Sequence, residues 1–145
     1  MRTSDLVSSG PYWQMAQPVM AAAESPIHMA HLRCVQGTQD FTGTLFVTSH
    51  QVIWRAVDPR VPEGMEFALA LTDLAAVEQP SRVAVFHAFR VVTEDQGRPV
   101  DTYFFPQSRT DTDRLLCDLM FDQVLAAWNR VQSGTPEHLG LSFTA

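Results

Sequence analysis

The sequence predicts a mainly β α+β domain: seven short antiparallel strands followed by one long C-terminal helix. Three observations lead there. From Ile27 to Phe105, short apolar runs alternate with polar breaks at the spacing of an antiparallel sheet. Inside the runs the period is two: Leu45 and Val47 fall on one face and Thr44, Phe46 and Thr48 on the other, and Phe67, Leu69 and Leu71 alternate with Glu66, Ala68 and Thr72. From Asp111 the period switches to steps of three and four, the repeat of a helix.

Taken in order, residues 1–26 read as an N-terminal extension, because Pro11, Pro18 and Pro26 interrupt them and Tyr12, Trp13, Met15, Val19 and Met20 follow no period. Ala21, Ala22 and Ala23 favour a helical turn there that is too short to stand alone. Strands are expected near 28–36, 42–48, 51–57, 65–71, 74–79, 83–93 and 100–105. The breaks at Gly37–Asp40, Asp58–Gly64, Gln79–Arg82 and Glu94–Pro99 each hold glycine, proline or a short polar side chain, the residues that make turns. Thr48-Ser49-His50 is the shortest break and joins two of the most apolar runs as a hairpin. The helix is expected over 111–131, with Thr110 as its cap and Asp111 and Asp113 in its first turn near the positive end of the dipole. Its stripe reads Leu115, Leu116, Leu119, Met120, Val124, Trp128 and Val131, and Phe121 falls outside it as a candidate exposed contact. Gly134 and Pro136 end the helix. The domain is therefore expected over 27–132, with 133–145 as a tail.

Composition narrows the function. The chain has 145 residues, 46% of them hydrophobic, which suits one domain with a real core. Its net charge is −6 and all ten basic residues are arginine, so no lysine-rich surface exists to neutralise phosphates, and nucleic acid is not an expected partner. Cys34 and Cys117 form no paired motif and read as buried free thiols. No stretch reads as a signal peptide or a membrane span, so an intracellular protein is expected. No cofactor, metal or catalytic set is expected either. His28 and His31, three apart on a strand, point to opposite faces and cannot share an ion. His50 falls in a turn and His87 in the middle of a strand, each without a partner visible in sequence. Asp111, Asp118 and Asp122 share one helical face and read as solvated, with Arg114 and Asp118 four apart as a surface pair.

Gly43-Thr44-Leu45-Phe46-Val47-Thr48 followed by Val52-Ile53-Trp54 resembles the signature of GRAM-type domains in the pleckstrin-homology (PH)-like superfold. The order of seven strands and one helix resembles the same superfold over residues 27–132. Relatives of this type include myotubularin N-terminal domains, the WW-binding-protein family, the GLUE domain, a transcription-factor PH-like domain and the methylosome chloride-conductance regulator. The resemblance implies a bent sheet or barrel capped by the C-terminal helix, and an activity of binding without catalysis. It also implies two candidate sites. One is the sheet edge beside the fifth strand, where an extended protein segment would add by main-chain pairing, with Val77, Gln79, Arg82 and Phe121 at or near it. The other is the open end of the barrel, where lipid-binding members carry basic residues. Arg55, Arg60 and Arg98 fall there against Asp40, Asp58, Glu63, Glu94 and Asp95. That balance disfavours a phosphoinositide headgroup on charge grounds, and a protein-interaction module leads. A small α+β barrel enzyme or carrier is the remaining alternative, and an enclosed pocket would be its mark.

Overall fold

In the computed structural model, which describes residues 24–56 and 66–133, the chain forms β1 (Pro26–Gln36), β2 (Gln39–Thr48), β3 (Gln51–Ala56), β4 (Glu66–Ala70), β5 (Ala76–Glu78), β6 (Phe89–Asp95) and β7 (Arg98–Pro106). A one-turn helix, α1 (Ser81–Ala84), precedes β6, and the long helix α2 (Asp111–Gln132) follows β7. The strands make one antiparallel sheet in the order β4-β3-β2-β1-β7-β6-β5. β4 and β5 are its two edges, so the sheet is open rather than closed into a barrel.

Local chemistry makes the turns. Thr48 Oγ1 accepts the N–H groups of His50 and Gln51, each at 3.0 Å, and so closes the β2–β3 hairpin. At the β6–β7 turn, Gln96 and Gly97 both have positive φ, 54° and 79°, as a two-residue type I′ hairpin requires. Thr110 Oγ1 accepts the Asp113 N–H at 3.2 Å and caps α2 as expected.

The sheet bends over its own core. Three inter-strand steps separate β3 from β7, about 14 Å in a flat sheet, yet the Trp54 and Phe104 rings lie 5.8 Å apart. Phe89 continues the stack to Phe104 at 5.3 Å and to Phe121 at 5.5 Å. Cys117, Met120, Val124 and Ala127 of α2 close this interior. Burial pushes the thiols of Cys34 and Cys117 up to about 12, with a lesser push from Asp40 and Asp118 respectively. Both stay protonated and inert at neutral pH.

Four expectations change. β2 and β3 are buried on both faces: Leu45, Val47, Val52 and Trp54 point inward, and Phe46 and Ile53 on the opposite side are just as fully buried, beside Met29. β4 stops at Ala70, and Leu71 lies in a single 3-10 turn whose N–H donates to His50 O. On α2, Leu115 and Leu119 are 57% and 40% exposed rather than part of the core stripe. At 100° per residue Leu115 sits about 160° around the helix from Cys117, and the small residues Cys117 and Ala127 take the core side instead. The last change is the strand expected over 83–93, which begins only at Phe89. Pro80, with φ −60°, starts α1 by accepting the N–H groups of Val83 and Ala84, so the chain coils once before it extends.

Candidate interaction surface

Among the described residues β5 is bonded on one side only, to β6, in the register Ala76↔Val92, Val77↔Val91 and Glu78↔Arg90. Three residues expose roughly 10 Å of free edge, enough for one short extended segment and too little to template aggregation. The Val77 side chain is 5% exposed and packs in the core, so a partner at this edge meets its main chain and not its isopropyl group. Glu78 accepts from Arg90 Nε at 2.7 Å, which holds the strand end against β6.

Around this edge the side chains are tied to one another. Arg82 donates to the Tyr103 hydroxyl at 2.9 Å, and Arg90 donates to the same oxygen at 3.5 Å. Those guanidinium donors, Arg90 first, lower the phenol below its ordinary range. Gln79 Nε2 donates to Asp118 Oδ1 at 3.4 Å, and Asp118 Oδ2 meets His87 Nδ1 at 2.7 Å. The carboxylate expected to pair with Arg114 therefore binds α2 to the β5–β6 connection, while Arg114 lies 3.9 Å from Asp111. His87 sits in a turn with φ +59°, not in a strand. Phe121, expected as an exposed contact, is half-buried and packs on Phe89 and the core. The exposed large apolar side chains among the described residues are Val85, Phe86, Leu115 and Leu119. Val85 and Phe86 are 72% and 59% exposed, beside an open recess of about 720 Å³ that Arg33, Arg109 and Arg114 also line. Sequence reasoning missed this feature, since Val85 and Phe86 look like any apolar strand run and their recess is assembled from β1, β7 and α2.

At the end of the sheet that carries the β1–β2 turn, that turn and β7 flank an open recess of about 740 Å³, lined among others by Gly37, Thr38, Gln39, Pro99, Asp101 and Tyr103. Among the described residues no basic side chain lines it, while Arg82 and Arg90 donate to its Tyr103 hydroxyl and Arg90 lies 3.6 Å from its Asp101. Of the three arginines placed at this end, Arg55 donates to Glu66 Oε2 at 3.2 Å across β3 and β4, Arg98 stands opposite Asp95 at the β6–β7 turn, and Arg60 lies outside the described residues. The structure does not bring Arg55 and Arg98 together on this recess. Among the described residues no group of three His, Cys, Asp or Glu side chains is placed to hold a metal, and no helix is long and apolar enough to cross a membrane.

Several solved structures share this architecture. The chain superposes on the C-terminal domain of an unknown protein from Leishmania infantum with a TM-score of 0.59 and 16% identity, over 83% of this chain and 96% of that one. The hSac2 domain from human phosphoinositide phosphatase Sac2 gives 0.57 and 12%, over 90% and 86%. The DH/PH domains of PDZ-RhoGEF, in complex with activated RhoA, give 0.56 and 9%, over 83% of this chain and 34% of that one. The fold is PH-like. At these identities the likeness is one of fold alone. No protein-family model matches the sequence, and no curated protein does.

Proposed function

We propose that this PH-like chain is a non-enzymatic protein-interaction module of GRAM type, an adaptor or accessory subunit of a larger intracellular complex. The observation that carries the reading is the contrast between its β5 edge and the recess between the β1–β2 turn and β7. Among the described residues the β5 edge is a short strand with one bonded neighbour, flanked by polar side chains, whereas the recess has no cation in its lining, and Arg82 and Arg90 beside it are already tied to Tyr103, Glu78 and Asp101. An extended protein segment adds to the first by main-chain hydrogen bonds. A multiply charged headgroup needs cations that the second does not present. A PH-like neighbour solved with RhoA is consistent with a protein partner for this type of fold.

The test pairs two measurements on the purified chain. Proteins recovered from its native cell on the immobilised chain are identified, then re-tested one by one as purified components. Liposomes with and without phosphoinositides are sedimented with it at physiological salt. A purified partner that forms a stable complex, with equal sedimentation on both liposomes, supports the reading. Headgroup-selective sedimentation without any reconstituted protein complex replaces it with lipid binding.

A further inference from the structure

We propose that the recess beside Val85 and Phe86 is a docking site for a short peptide segment that carries carboxylates next to apolar anchors. This deepens the reading of the chain as a protein-interaction module and rests on it.

The first ground is how the two apolar side chains are held. Val85 and Phe86 stand exposed on a turn that hydrogen bonds hold fixed. Phe86 N–H donates to Val83 O at 3.0 Å, His87 N–H to Ala84 O at 2.9 Å, and Ala88 N–H to Val83 O at 3.1 Å. Val83 beneath is buried, and His87 is fastened to Asp118 of α2 at 2.7 Å. His87 also adopts a left-handed φ of +59°, a conformation that costs a non-glycine residue free energy and that the surrounding bonds over-determine. A rigid turn that presents apolar area loses little side-chain freedom on binding.

The second ground is charge. In a chain of net charge −6, the recess is lined by Arg33, Arg109 and Arg114 and, among the described residues, by no carboxylate. Arg33 stacks over the Phe105 ring at 4.9 Å and lies 3.1 Å from Asp40, off the hydrogen-bond axis. Arg114 has only the long 3.9 Å contact to Asp111, and Arg109 makes no ion pair among the described residues. Guanidiniums with spare donors around an apolar floor of Phe105 and Pro106 match carboxylates set beside apolar side chains. The concave shape and about 720 Å³ suit a few peptide side chains. An anionic bilayer would instead meet the net negative charge of the whole chain.

The experiment selects binders to the full chain from a displayed library of short random peptides. It measures their affinity for the chain and for Phe86→Ser and Arg109→Glu, both at exposed positions whose folding is checked by circular dichroism. The expected result is enrichment of acidic-apolar peptides, with each variant weakening them by about tenfold or more and added salt weakening them further. Peptides that bind both variants unchanged, or that protect only the β5 edge from hydrogen exchange, overturn this site while leaving the interaction module standing. Binding to phosphatidylserine vesicles that Phe86→Ser abolishes, with no peptide enriched, overturns both.

Discussion

The β2–β3 hairpin and the β5–β6 connection are both written in apolar residues, and the fold uses them in opposite ways. In the hairpin, Leu45, Phe46, Val47, Val52, Ile53 and Trp54 are fully buried. In the connection, Val83 and Ala88 are buried while Val85 and Phe86 between them stand in solvent, on a turn tied down by hydrogen bonds at both ends. An apolar run therefore marks stability where it is packed on both faces, and forms the proposed contact surface where it is exposed yet rigid. The difference lies in tertiary placement: the hairpin strands lie inside the sheet between β4 and β1, and the connection passes around its edge beside α2.

The hairpin side breaks hardest. Trp54 is fully buried against Phe104, so Trp54→Ala should cost about 3–5 kcal/mol through lost burial and a residual cavity. A urea midpoint displaced accordingly is expected, and an unmoved midpoint would place the core elsewhere. Gly43→Ala comes next. A methyl group there would meet Arg55 O at 2.4 Å, with Ala56 Cα and the Trp54 ring at 2.7 Å, so strands β2 and β3 must part. About 1–3 kcal/mol of overpacking is expected, read from the same denaturation curves. The glycine that opens the signature stretch thus has a packing reason that needs no ligand.

Acid sharpens the comparison further. Burial lowers the pKa of His28 on β1, whose Nε2 has no hydrogen-bond partner. Because the unfolded chain takes up this proton at 6.5 and the folded chain only below that, stability is fully present above pH 6.5 and falls as pH drops through the folded value. Denaturation midpoints at pH 7.5 and 5.5 should differ less for His28→Gln than for the wild type. An equal difference in both would assign acid sensitivity to other groups. The smallest stability effect belongs to the connection: Phe86→Ser, at a side chain 59% exposed, should stay within about 0.5 kcal/mol. A cost comparable to that of Trp54→Ala would mean that Phe86 is structural.

How much of this was legible in the sequence follows the same division. The strands of the hairpin, the β6–β7 turn and the cap of α2 were readable because local chemistry and tertiary demand agree there: Thr48 closes its own turn, Gln96-Gly97 supplies the left-handed pair, and Thr110 binds the N–H it should. The edge character of the fifth strand came from the resemblance and is present in the sheet order. What was not legible depends on partners far apart in sequence. Asp118 looked like a solvated carboxylate until His87, 31 residues earlier, and Gln79, 39 residues earlier, were brought to it. Leu115 and Leu119 fit a helical stripe by period, yet the side of α2 that meets the sheet is chosen by the small residues Cys117 and Ala127. The arginine-lined recess draws on β1, the β5–β6 connection, β7 and α2, and no single window of sequence contains it.

The proposed binding takes place at the β5 edge and on the rigid surface beside α2, and not at the β1–β2 and β6–β7 turns. Amide hydrogen exchange of the chain, alone and with a purified protein partner, checks this placement. The account predicts slowed exchange over residues 76–79, where the partner pairs with the free edge, together with protection at Val85 and Phe86. Unchanged exchange in both segments, with protection confined to residues 37–40 and 95–98 at and beside the β1–β2 and β6–β7 turns, would overturn it and move the site to those turns.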